Sequence, residues 1–360
     1  MVTGKGPLYP NIYCMLIAHP GVGKTATIRR SRQYYMETMD PHPAPTSLTG
    51  AAMIDAMVKN KRFEPQPGKQ PLDYNSMYLT ADELGAFMHK YDSEVIAVMS
   101  AFYDPDEFRQ WRRGNELKLA IKAPQMNVIC GSTPSNLMAM LPDYAWEQGF
   151  TSRFILIFSD ERITGDDFVP TDRSLSNDLV ADLKCINTLH GEFEITSAYA
   201  DAVREWRAAG EPPTPTHPKL LHYTTRRRVH LYKLSMVSSI DRGDSLLLTV
   251  ADWERALAWL GEVEAHMPDI FLAGAGNADA KAMDEIYHYV LTSCTGGRKI
   301  PAFKIINFAK ARVPLHSIER VIGVMEKSGL LRQAGLDPKV KGQVLYQPGA
   351  AQSETPSDLP

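Results

Sequence analysis

Ala18-His-Pro-Gly-Val-Gly-Lys-Thr25 decides how the rest of the chain is read. It follows the apolar run Ile12-Tyr-Cys-Met-Leu-Ile17 and opens into Ala26-Thr-Ile-Arg-Arg30, so the order is strand, glycine loop, helix. Gly21 and Gly23 permit a curl in which backbone N–H groups, those of Val22 and Ala26 included, point inward at phosphate oxygens. Lys24 can then meet the β- and γ-phosphates and Thr25 can ligand Mg²⁺, with the helix N-terminus adding its dipole. The full pattern begins with Gly, and here Ala18 holds that position.

The bulk numbers bound the rest. A chain of 360 residues, 44% hydrophobic, is long enough for two or three domains with cores of their own. No stretch approaches the ~18 consecutive apolar residues of a membrane span, and Met-Val-Thr-Gly-Lys-Gly lacks a signal-peptide core. The expected location is therefore cytoplasmic, the host cytoplasm if phage-encoded. Cys14, Cys130, Cys185 and Cys294 lie far apart without a CxxC, so neither a zinc site nor a disulfide framework is indicated. A net charge of −3 excludes a wholly basic nucleic-acid binder and leaves only local patches for that role.

Downstream, Met77-Tyr-Leu-Thr-Ala-Asp-Glu83 is a mostly apolar strand ending in two carboxylates, and Asp82 follows Lys24 by 58 residues. Beside a phosphate loop, Asp82 suits the Mg²⁺ shell and Glu83 the polarisation of an attacking water. Asp82 would equally serve as an ordinary helix N-cap. The stretch 108–121 reads as a hairpin with Arg113-Gly-Asn115 at its turn, and Arg112, Arg113 and Lys118 either meet nucleic-acid phosphates or form a solvated surface. Met126-Asn-Val-Ile-Cys130 is another buried strand, running into the turn residues Gly131-Ser-Thr-Pro-Ser-Asn136. The arginines after the glycine loop, Arg29, Arg30 and Arg32, read as a solvated face.

The Pro-Gly-Val-Gly-Lys-Thr core, the Asp-Glu strand end at its spacing, and Gly149-Phe-Thr-Ser-Arg-Phe-Ile-Leu-Ile-Phe158 together resemble the AAA+ ATPases. Phage and bacterial replication ATPases and the minichromosome maintenance helicase clade look most similar, and the resemblance covers residues 11–162. It implies an α/β fold: a P-loop NTPase (AAA+) parallel-sheet core over 1–162, followed by a helical lid over 163–275. It implies ATP and Mg²⁺ as cofactors, Thr133 as sensor 1 with Asn136 in reserve, and Arg153 as an arginine finger reaching a neighbouring subunit. One of Arg226, Arg227 and Arg228 would be sensor 2, unless that run is solvated or faces DNA. About ten residues precede the first strand, fewer than the segment that helps hold adenine in such proteins, which leaves open a longer parent protein.

After a small-residue linker at 273–279, three helical patterns and two strands over 281–347 read as a winged helix. Residues 281–345 carry eleven lysines and arginines against five acids, the local charge a nucleic-acid partner would want. Residues 315–327 would be the recognition helix, with His316, Ser317 and Arg320 accessible; a protein-docking module is the alternative. The polar, proline-containing stretch 348–360 is expected to be a disordered tail. The combined expectation is an ATP-hydrolysing, ring-forming motor on DNA in replication: a phage-type helicase, homo-hexameric, with a possible replication partner protein and no membrane. The alternative is an ATP-switched helicase loader or DNA-binding adaptor. The absence of an Asn-Lys-x-Asp signature disfavours a GTPase, no second acidic cluster suggests an attached nuclease, and a small-molecule kinase gives no role to Arg153.

Overall fold

The computed structural model describes residues 1–3, 6–38, 41–44, 49–64, 71–104, 106–112, 117–147, 149–162, 174–215, 217–294, 298–313, 315–338, 340 and 342–349. Two compact units divide the chain, Met1–Phe271 and Leu272–Pro360.

The first unit is built on a five-stranded sheet in the order Lys61–Glu64, Leu72–Ala81, Pro124–Ser132, Tyr13–Ile17, Phe154–Phe158. Four strands run parallel, and Lys61–Glu64 pairs antiparallel at the edge. The strand feeding the glycine loop thus lies inside the sheet, with Pro124–Ser132 between it and the strand that ends before Asp82. Parallel strands with helices on both faces must be apolar throughout. Accordingly Tyr13, Met15 and Ile17 bury themselves with Met77, Leu79, Met126 and Val128 on one side. On the other side Ile155 packs with Tyr199, Trp206, Leu231 and Trp253. Trp253 meets Tyr199 and Trp206 edge-on at centroid distances of 5.9 and 5.4 Å, contacts worth about 0.5–1.5 kcal/mol each beyond burial.

The helices after residue 174 belong to this first unit as far as Phe271. Ser197–Ala208 is capped by Thr196, whose hydroxyl accepts from the Tyr199 N–H, and Leu221–Gly243 crosses beneath the starts of the strands. His230 of that helix bonds the Ser152 carbonyl, and Lys233 donates to the Asn11 carbonyl and to its Oδ1. These anchors put the helix at the edge of the sheet where strands begin, the edge opposite the glycine loop. The second unit contains Ala302–Ala309, Ile318–Lys327 and a three-stranded antiparallel sheet with Val344–Pro348 between Ile300–Pro301 and Leu331–Leu336. Ile286, Val290, Ile305, Val321 and Met325 form its core.

Several expectations need correction. The stretch 273–279 is helical, part of the helix Val250–Ser293, rather than a loop-like linker; its three alanines favour helix, and each interior glycine costs only about 1 kcal/mol. Lys61–Glu64 forms an edge strand, and the strand before Asp82 begins at Leu72 rather than Met77. The polar Asn75 hides that strand in the sequence; it is buried because its Nδ2 donates to the Met57 carbonyl at the end of Gly50–Lys59. Ser317 is buried in a 3-10 turn before the helix rather than accessible on it. The hairpin turn at 113–116, the His316 side chain and most of the expected tail, 350–360, lie outside the described residues. No helix of the described residues is long and apolar enough to cross a membrane.

Candidate phosphate-binding site

The loop after Tyr13–Ile17 turns through Gly21 at φ 86° and Gly23 at φ 111°, left-handed conformations that suit glycine alone. Ala18 fixes its start, donating its N–H to the Ser132 carbonyl at 3.2 Å. Gly23 is the N-cap of Lys24–Met36, and no side chain caps this end among the described residues, so the first-turn N–H groups of Lys24, Thr25 and Ala26 have no intrahelical or capping partner. Ile28, 1% exposed, pins the helix to the core. The Lys24 ammonium folds into its own loop, donating to the carbonyls of Ala18 at 2.7 Å and His19 at 3.1 Å.

Asp82 follows the strand Leu72–Ala81 directly and accepts from Arg29 Nε at 3.1 Å and Nη2 at 2.8 Å. The exposed Glu83 comes next, at the N-cap position of the 3-10 turn Leu84–Ala86. Thr133 caps Pro134–Met140, its Oγ1 accepting from the Asn136 N–H at 3.2 Å, which leaves the Thr133 O–H as a donor. Asn136 is thus a partner of Thr133 through its backbone. Close approach of two strand ends depends on Gly131: a Cβ there would fall 2.4 Å from the Asp82 carbonyl oxygen and 3.3 Å from Ile28 Cδ1. Lys24, Thr25, Asp82, Glu83 and Thr133 therefore gather at one edge of the sheet. Thr25 and Asp82 offer hydroxyl and carboxylate oxygen, the donor type Mg²⁺ takes.

The arginines lie elsewhere. Tyr13 pairs with Phe154 in register, so Arg153 sits at the starts of the strands, about 20 Å along the sheet from Ala18. It is 9% exposed, with Nη2 on Asp104 Oδ2 at 2.7 Å and Nη1 on the Gly149 carbonyl at 2.8 Å. Arg226 reaches the same carboxylate, Nη1 to Oδ1 at 3.4 Å. Of the three arginines among which sensor 2 was expected, Arg226 lies on Asp104, its helix being anchored where the strands begin. Arg227, fully buried, pairs with Glu264 at 2.6 Å, and Arg228 with Glu211 at 3.1 Å. Burial dominates the titration of two neighbours: it pushes Lys233 down to about 7 and His230 down to about 4.

Sequence reasoning missed Arg29, Gly131 and Asp104. Arg29 was read as solvated, and only the fold reveals its partner; a glycine closing an apolar strand was the available signal for Gly131. The hairpin forms between Phe108–Arg112 and Leu117–Ile121, and its Arg109 pairs with Glu107 at 2.6 Å. In the second unit Lys304, Lys310, Arg320, Lys327 and Arg332 are exposed. Arg312 stacks over Phe308 at 3.5 Å and holds Glu285 at 2.6 Å. All four cysteines are free, and no cluster of metal-binding side chains occurs among the described residues. Compared with the models of known protein families and with curated proteins, the chain matches none.

Proposed function

We propose that the chain is a Mg²⁺-dependent ATPase that works on DNA as a ring-forming replication motor. The observation that carries the ATPase reading is the convergence of the Gly21–Gly23 loop, Asp82, Glu83 and Thr133 at one edge of a mostly parallel sheet. In this reading Lys24 exchanges its two carbonyl contacts for β- and γ-phosphate oxygens, while the loop and first-turn N–H groups hold the rest of the triphosphate. Thr25 and Asp82 hold Mg²⁺, which when bound supplies neutralisation of phosphate charge. The exposed Glu83 carboxylate orients and takes a proton from the attacking water, and the Thr133 hydroxyl donates to it.

Support for DNA comes from the excess of basic residues over 281–345, many of them exposed. Support for a ring is the expectation that Arg153 acts in trans, from the residue before the edge strand Phe154–Phe158. A second reading, the ATP-switched loader or adaptor, is favoured by one observation: Arg153 is buried on its own Asp104. The test is ATP hydrolysis with and without single-stranded, double-stranded and forked DNA. DNA-stimulated hydrolysis with strand separation is expected of the motor. Hydrolysis or binding without separation would favour the loader, and no nucleotide binding would overturn both.

A further inference from the structure

The contact between Arg29 and Asp82 joins the helix of the phosphate loop to the carboxylate assigned to Mg²⁺. Arg29 lies on Lys24–Met36, and both its Nε and Nη2 point at one oxygen of Asp82, 3.1 and 2.8 Å away. The arginine side chain is 64% exposed and the aspartate 34%, so this is a solvent-accessible pair rather than a structural core contact. Its partner residue is fixed: Asp82 closes a strand whose end is held against Gly131, where a Cβ would come within 2.4 Å of the Asp82 carbonyl oxygen. A guanidinium held on one oxygen of a carboxylate lowers the negative potential at both oxygens, and a divalent cation draws on that same charge.

We propose that Arg29 is a built-in counter-cation that competes with Mg²⁺ for Asp82, and so sets the Mg²⁺ concentration at which the site loads. The inference rests on the ATPase reading above, because it needs Asp82 to be a metal ligand. An exposed ion pair contributes up to about 1 kcal/mol, so its removal should move a competing equilibrium by about two- to fivefold. The direction is counterintuitive. Removing a positive charge beside a triphosphate would ordinarily weaken nucleotide binding, whereas here the metal requirement should fall.

The experiment titrates Mg²⁺ against binding of a fluorescent ATP analogue to the full chain, comparing wild type, Arg29→Gln and Arg29→Lys, each also in an Asp82→Asn background. Arg29→Gln should lower the half-saturating Mg²⁺ concentration about two- to fivefold. Arg29→Lys, which keeps the charge, should stay closer to wild type, and the Arg29→Gln shift should vanish once Asp82 is Asn. An unchanged or raised midpoint in Arg29→Gln, or an equal shift in the Asp82→Asn background, would overturn the proposal while leaving the ATPase reading standing. Wild type that bound no analogue at any Mg²⁺ concentration would remove that reading, and the inference with it. Because Arg29 is exposed, thermal unfolding of each variant serves as the folding control.

Discussion

The two edges of the central sheet carry charge in opposite ways. Where strands end, Lys24, Asp82 and Glu83 are half-buried or exposed, supported by glycine conformations and by short backbone contacts. Where strands begin, Arg153 and Lys233 are nearly or wholly buried, with Asp104 as the carboxylate joining Arg153 and Arg226. The first arrangement leaves its groups able to exchange partners at little cost. The second leaves Arg153 and Lys233 dependent on the partners they already have, because a charge withdrawn from water has no alternative one. The two edges therefore differ less in composition than in exposure.

The largest expected effects break or keep that division directly. Glu83→Gln should bind ATP with near wild-type affinity while its turnover falls by about 10²–10⁴, the usual value of a positioned acid or base. Arg153→Ala should lose about 10³ or more in turnover if its guanidinium reaches a neighbouring site in trans. Mixing the two inactive chains should then restore activity, because a site with Glu83 from one chain and Arg153 from the other is complete. Full turnover by Arg153→Ala alone would make the starts of the strands purely structural and remove the argument for a ring.

A smaller effect compares the same chemical change at both edges. Asp104→Ala strands the buried Arg153, and because Asp104 itself is partly exposed the cost should be about 2–3 kcal/mol rather than the full value of a broken buried pair. Asp82→Ala removes an equally short arginine contact, yet should change stability by less than ~1 kcal/mol because water replaces it. Urea midpoints of the two variants measure the contrast. Equal losses would mean that the two edges do not differ in the way their exposure indicates.

Legibility in the sequence followed the same divide. The strand, loop and helix around residues 12–30 form one contiguous pattern, and Asp82 stands at the end of an apolar run, so local pattern finds them, whereas Thr133 was singled out through the family resemblance. Arg153 was singled out by the resemblance, but its ion-pair partner was not: Asp104 lies 49 residues away and belongs to no periodic run. Lys233 and Asn11 are separated by 222 residues, and a single lysine in a helix looks like any solvated lysine until tertiary structure buries it. Position along the chain could not choose among Arg226, Arg227 and Arg228; the structure shows their helix held at the starts of the strands by His230 and Lys233. Composition misled at 273–279 as well, where small residues suggest a linker but alanine continues a helix.

A further effect is a pH dependence with a sign that the buried edge dictates. His230 is fully enclosed, with Nε2 donating to the Ser152 carbonyl at 2.8 Å and Nδ1 facing the Tyr103 hydroxyl at 3.5 Å. Burial lowers its pKa to about 4, the Ser152 contact opposes this, and the charges of Lys233 and Arg226 lower it further. In the unfolded chain the same imidazole titrates near its ordinary value of about 6.5. As pH falls from 6.5 toward 4, unfolded molecules therefore take up a proton that folded ones refuse, and stability is lost, by about 1.5 kcal/mol between pH 6.5 and 5. Lys233 acts in the same direction at higher pH. Burial lowers it to about 7, so between about 7 and 10.5 the unfolded chain holds the extra proton and stability rises with pH, by about 1.5 kcal/mol from pH 7 to 8.5. His230→Gln keeps a donor for Ser152 and should flatten the acid slope alone. Lys233→Met should flatten the alkaline slope alone, whatever its overall stability. Chemical denaturation at five or six pH values would resolve both slopes against wild type. If neither variant changed its slope, water would have access to these groups, and the contrast between an open and a sealed edge would no longer stand.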